Sequence, residues 1–494
     1  MGHPAAATIQ HFPTISQTVC SWIYESSEMA RKYGICFVAV IVVCCLIAAG
    51  CGSGRSSSAT ATSASPGTGT SVSAPTTPTT PSAPINSTLT PAVSSLVIYV
   101  YEDTTQNWST YSGLIEAFTL NINSGALTPI PGSPFSTNLA AGSDMALSPN
   151  GGFAYILAPN YPVGSSPGVG SNLLVYALDP ASGAPTLKQA LAITSPVNGG
   201  VGPSVISVHP SGHFIYLSPY RDNSSNTGIG VFSVQVDGTV VFSSFTHVQT
   251  FGGAVISPNG AFLYSDSGSV AIGNWPATQA GCGPVSESLS AFSINSTTGA
   301  LTAVAGSPFT FQRQVCEMGN APQWLTYQID PASERLFAVD APDSVVDVFA
   351  IDPSSGALTQ LPGTSTEPSI GEFLSSAMDP LGRFLYVGAA SSFFTGFSLA
   401  ANTASGTLPL LPGMPVQASN PPNLSLGSNT MAIDSSGTFL FSNDSVCVTE
   451  YFCGGADSLV EFQIDPATGV LTQLPATPIT LVGTASRIVV ATPQ

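Results

Sequence analysis

The sequence predicts an all-β ring, a seven-bladed β-propeller, from two observations: a strand-turn pattern that recurs along the chain, and one copy of it divided between the two ends. One half of the pattern is an aromatic strand running into a polar, Gly-containing turn. It reads EAFTLNINSGAL at 116–127, VYALDPASGAP at 175–185, VFSVQVDGTV at 231–240 and SAFSINSTTGAL at 290–301, then DVFAIDPSSGAL at 347–358, TGFSLAANTASGTL at 395–408 and VEFQIDPATGVL at 460–471. The other half is an apolar strand, a Pro/Gly turn and an aromatic strand, as in ALSPNGGFAYIL, SVHPSGHFIYL and AMDPLGRFLYV. This second half is intact in six copies. In the seventh, SRIVVATPQ at the C-terminus is a first strand that stops at its turn, and SLVIYVY at 95–101 is an aromatic strand with nothing before it. A chain whose last strand needs its first as a neighbour is a closed ring.

Each repeat of roughly 50 residues holds four short strands, here called a to d from the axis outward, the arrangement of a propeller blade. Strand a precedes the S/D-P-x-G turn and strand b is the F-x-Y run. Strand c carries V-x-x-F, and strand d follows the S-G turn. Gly125, Gly183, Gly299, Gly356, Gly406 and Gly469 stand where such a turn calls for positive φ, and Asp237-Gly238 is a tight-hairpin dipeptide. Val, Ile, Phe and Tyr alternating with small polar residues suit half-buried strands.

The ends divide the chain into residues 1–50, 51–94 and 95–494. Arg31 and Lys32 precede an apolar run from Tyr33 to Ala49 and then Gly50-Cys51, the order of an export signal, with Met29 an alternative start. A Cys directly after small residues resembles a bacterial lipobox and makes Cys51 the expected lipidation site, although Ala48 stands where Leu is usual; a permanent membrane helix is the competing reading. Residues from Gly52 to about Val93 are Ser, Thr, Pro, Ala and Gly and cannot bury enough surface to fold. They form a tether, with a reach of ~35 Å for ~40 flexible residues.

The net charge of -18 belongs to the part after Cys51, because Arg31 and Lys32 cancel Glu25 and Glu28 before it. Phosphate neutralisation needs clustered Lys and Arg, so nucleic acid is not an expected partner. The propeller has only Lys188, Arg221, Arg313, Arg335, Arg383 and Arg487. Cys282, Cys316, Cys447 and Cys453 fit an oxidising compartment and allow three pairings. Loop topology favours Cys447 with Cys453, which share one b–c loop, and Cys282 with Cys316, in neighbouring loops of the same face.

The repeated V-x-x-F-x-I-D-P-x-S-G-A-L-T, with G-S-P-F at 132–135 and 306–309 and D-P-x-G-R-F-L-Y-V at 379–387, resembles the seven-bladed propeller lactonases, relatives of 6-phosphogluconolactonase and of carboxymuconate lactonising enzymes. The resemblance spans about residues 95–494 and rests on blade-building residues, so it speaks for fold more than chemistry. It implies a site where the b–c and d–a loops meet the central channel, using a His or carboxylate base and an Arg that stabilises an anion. The candidates are His247, Glu317, Glu372 and Arg487, with Arg313 and Trp324 bordering the Glu317 loop as ligand-binding residues. A strongly acidic, exported protein is poorly suited to a phosphorylated sugar, which leaves a neutral lactone or ring ester. The alternative is a non-catalytic propeller that binds a protein or glycan at the cell surface. His209 and His213 flank an a–b turn on the opposite face and read as structural. No H-E-x-x-H, paired C-x-x-C or calcium loop is present, and G-x-S-x-G occurs only as GSSPG at 164–168, within the loop run YPVGSSPGVGSN rather than at an elbow, so neither cofactor nor metal is expected. The expected state is an exported, lipid-anchored monomer of the bacterial envelope.

Overall fold

The computed structural model describes residues Ser95–Ala491 apart from 105–111, 140–143, 160–170, 194–202, 220–227, 249, 251–252, 272–282, 316–324, 341–343, 367–372, 390–391, 400–404, 419–424, 428–429, 447–455 and 476, all within the compact unit Pro91–Gln494. The export signal, Cys51 and the tether lie outside the described residues. The regular elements are β-strands gathered into seven antiparallel sheets, the blades of a propeller. The inner strands of blades 1 to 7 are Thr484–Ala491, Asp144–Leu147, Pro203–Val208, Ala254–Ile256, Leu325–Ile329, Phe373–Met378 and Met431–Ile433. Each packs on the next, and the seventh packs on the first.

Blade 1 draws on both ends of the chain. Its inner strand pairs with Ser95–Asp103 in a register running from Val97 opposite Ala491 to Asp103 opposite Thr484, with a bulge between Tyr101 and Glu102. Gly113–Asn121 and Ala126–Pro129 complete the sheet outward.

The apolar core is not inside any blade but between blades. Seven buried clusters sit one at each interface: Tyr99 and Ile115 of blade 1 meet Met145 and Ile156 of blade 2, and at the closing interface Ile98, Phe118 and Ile488 of blade 1 meet Phe441 and Leu459 of blade 7. Fully burying one such large apolar side chain contributes ~1.5–3 kcal/mol. An unaccompanied blade would forfeit that on both faces.

Polar staples fix blades 1, 3, 4 and 6 on the blades that follow them. In the c–d turns an Asp or Asn caps the chain, as when Asp179 Oδ1 accepts from the Ala181 and Ser182 amides, and a glycine two or more residues on takes positive φ. The carbonyl of that glycine faces the preceding blade, where a strand-b tyrosine donates to it. Tyr99 reaches Gly183 at 2.6 Å, Tyr216 reaches Gly299 at 2.8 Å, Tyr264 reaches Gly356 at 3.1 Å and Tyr386 reaches Gly469 at 2.7 Å. A Cβ at Gly356 would stand 2.3 Å from the Phe262 ring, so these glycines serve close approach as well as φ. The a–b turns supply a second set: His209 Nε2 meets the Gly260 carbonyl at 2.9 Å, while Arg383, held by Asp379 at 2.7 Å, donates to the Gly437 carbonyl.

Blades 5 and 7 have Phe337 and Phe441 at this position, and Tyr155 of blade 2 keeps the tyrosine without the bond. The facing turn of blade 3 is the shorter Gln235–Gly238, and the buried Tyr155 hydroxyl has no partner among the described residues. Replacing each tyrosine by phenylalanine should therefore separate two groups in denaturant unfolding: Tyr99, Tyr216, Tyr264 and Tyr386 each lose ~1 kcal/mol, and Tyr155→Phe loses nothing or gains. Equal losses at all five positions would contradict the staple.

Candidate functional site

Inner strands run from the face where the b–c and d–a loops emerge, and toward that face side chains and amides of blades 1, 2 and 3 meet. Arg487, in the inner strand of blade 1, places Nε 3.2 Å from Asp144 Oδ1 at the head of the inner strand of blade 2. Asp144 is buried; its Oδ1 also accepts from the Met145 amide at 2.9 Å, and its Oδ2 accepts from the Ile206 amide of blade 3 at 2.8 Å. Burial pushes the Asp144 carboxyl up, and Arg487 and the two amides pull it back. With three donors on its two oxygens, Asp144 positions Arg487 rather than acting as a free base. The Arg487 side chain is 47% exposed, and its Nε is the atom that Asp144 engages. A guanidinium held through Nε can present its terminal amines to a carbonyl or carboxylate oxygen.

The other candidates do not all converge on this arginine. His247 ends the outer strand Val240–His247 of blade 3, exposed, its ring edge-on to Phe245 at 4.8 Å. Three strands separate it from the axis. Arg313 lies in Phe309–Val315 on the outer side of blade 4, opposite Val285. Glu317, Trp324 and Glu372 lie outside the described residues, as do Cys282, Cys316, Cys447 and Cys453. His209 is the buried blade-to-blade staple described above. Among the described residues no three His, Cys, Asp or Glu side chains gather to hold a metal ion.

Asp144 is not among the candidates read from sequence, though it opens an inner strand. Nor is a group of acids behind the site. Glu102 and Glu116 of blade 1 are buried and hydrogen-bonded to each other, and they accept from successive amides of the segment entering the closing strand: Gly483 to Glu102 at 2.7 Å and Val482 to Glu116 at 2.6 Å. Burial and mutual repulsion raise the Glu102 carboxyl, so the pair holds a proton between them. Asp457 of blade 7 accepts from Ala485 at 2.8 Å and from Asn443 at 2.8 Å, and Thr430 Oγ1 accepts from Ile488 at 3.1 Å. The strand carrying Arg487 is thereby gripped from both sides.

Glu461 is the most isolated of these acids. It stands opposite Phe441, where the matching pairs are Tyr99 with Ala117, Tyr216 with Val231 and Tyr386 with Gly396. Fully buried beside Gly125, it has no hydrogen-bond partner for either carboxyl oxygen, and burial pushes its pKa from 4.5 up to about 8. The folded state keeps a proton that the unfolded chain releases, so this contribution is whole below pH 4.5 and is lost as pH rises through about 8. Thermal melting should accordingly decline across that window in the native protein. Glu461→Gln, neutral at every pH, should flatten the decline, and an unchanged pH slope in the variant would refute the assignment.

No family model matches the chain, and no curated protein matches it. Among solved structures, a Bacteroides uniformis protein proposed to be a 6-phosphogluconolactonase superposes with a TM-score of 0.56 at 16% identity, over 81% of this chain and 100% of the other. A Bacteroides fragilis protein with the same proposed activity gives 0.54 at 17%, over 81% and 98%. A Lactobacillus plantarum protein gives 0.53 at 15%, over 80% and 99%. At such identities the likeness establishes the fold: this chain is a seven-bladed propeller similar in architecture to lactonase-like proteins.

Proposed function

We propose that this is an exported propeller, tethered to the bacterial envelope through Cys51 and the 51–94 segment, that binds and hydrolyses a neutral lactone or ring ester at the Arg487 end of its channel. The observation that carries the reading is a half-exposed guanidinium, positioned by a buried carboxylate, at the meeting point of three inner strands. Water adding to a ring carbonyl places negative charge on oxygen, and the Arg487 amines are suited to stabilise it. The ring C–O bond then breaks to give a hydroxy acid. Glu317 and Glu372, which precede inner strands in sequence, are the candidate bases. Disulfides Cys447–Cys453 and Cys282–Cys316 belong to the same reading, since export supplies the oxidising compartment.

A second reading, binding without catalysis, is favoured by one observation: the acid beside Arg487 is fully engaged by three donors and His247 is on the outer rim. Turnover of a panel of neutral lactones separates the two. Arg487→Ala should lower kcat by about 10²–10³, the usual effect of removing one oxyanion donor, with little change in melting because Asp144 retains its two amide donors. Calorimetric binding of the same compounds without turnover would replace the catalytic reading by the second. Neither binding nor turnover would refute the lactone site and leave only the alternative, a propeller that binds a protein or glycan.

A further inference from the structure

The outer strands of the seven blades are built in two ways. In blades 1, 4, 5, 6 and 7 the outer edge is interrupted by a segment containing proline, with Pro131 and Pro134, Pro308, Pro362, Pro412 and Pro415, and Pro475 and Pro478 in turn. The interruption is built in: Ser133 Oγ accepts from the Ala117 amide at 3.0 Å and Ser307 Oγ from the Ala291 amide at 2.9 Å, taking over bonds the strand would have made. Breaks of this kind protect a sheet edge from pairing with another chain. Blades 2 and 3 lack them. Their outer strands, Pro185–Ile193 and Val240–His247, run on past single-residue bulges at Lys188 and Ser243, and among the described residues no further strand covers either edge.

The same two edges hold most of the exposed apolar surface. Of the seven large apolar side chains exposed among the described residues, Leu187, Val236, Val241 and Phe242 lie on these strands and on the turn beside them. They belong to one patch: Gln189 Nε2 donates to the Val240 carbonyl at 2.9 Å, Gln189 Oε1 accepts from the Val240 amide at 2.7 Å, and Lys188 Nζ donates to the Asp237 carbonyl at 2.6 Å. Neither strand contains an Asp or Glu, in a chain of net charge -18.

We propose that this patch is the interface through which two copies of the chain associate, outer strand to outer strand about a two-fold axis. Charge selects a second copy as the occupant. The exposed Lys188 and Asp237 stand 3.8 Å apart on the patch, so about a two-fold axis each can face its opposite on the other copy, and the acid-free strands beside them add no like charge between two strongly acidic molecules. A two-fold contact also closes on itself, so the open edges pair once without forming a fibre. This replaces the monomer expected from sequence.

Sedimentation of the purified full chain over a wide concentration range tests it. The wild type should pass from a two-chain to a one-chain mass on dilution, and Phe242→Lys should weaken that association by about tenfold or more, as the loss of a buried aromatic contact does. Phe242 also packs edge-on against Phe232, at 5.5 Å, so Val241→Lys serves as a second variant with the same expected loss and an unchanged melting curve. A one-chain mass at every concentration would overturn the proposal. So would a two-chain mass indifferent to both substitutions.

Discussion

A four-stranded blade has two apolar faces and cannot cover either of them. Every other feature of this molecule follows from that deficit. The seven clusters lie between blades, each blade serves as the core of its neighbours, and an open row would leave one face bare at each end. Closing the row into a ring removes both bare faces, and the chain achieves this by lending its last strand to its first blade. The hydrophobic demand fixes that closure is needed; the polar groups decide where it sits. Glu102, Glu116, Asp457 and Thr430 each receive a specific amide of the segment from Val482 to Ile488, so the closing strand has one register in which its donors are satisfied.

The functional consequence lies in the same strand. Arg487 owes its place to the closure, and its orientation to Asp144, which also takes an amide from blade 3. A guanidinium at the channel end is thus tied to three blades, and its position depends on the whole ring rather than on a loop. That is a rigid mounting for a donor that has to face developing charge.

The blades were legible in the sequence because their signals are local: a period-2 strand, an Asx-Gly turn, an F-x-Y run. The split seventh repeat made even the closure readable, since SLVIYVY and SRIVVATPQ each lack what the other supplies. Arg487 stands out because a cation in an inner strand is rare in a chain so poor in Lys and Arg. Asp144 could not be told from other acids of the d–a loops, because its importance comes from amides 1 and 62 residues away and from an arginine near the other end of the chain. Glu102 and Glu116 read as ordinary strand residues for the same reason. His247 was grouped with the channel candidates from its nearness to a strand end, and the sheet order shows which strand that is: the outermost. Pairing partners distant in sequence are what a single chain does not print.

The ring holds together through the contact of its first and last strands. A protein ending at Ala485 tests it most directly, because it retains every other blade and loses only the inner strand of blade 1. Followed by heat capacity and by near-ultraviolet dichroism, the shortened protein should lose its single cooperative transition and expose apolar surface at blades 1 and 7. A transition as sharp as that of the full chain, at an unchanged temperature, would contradict the account.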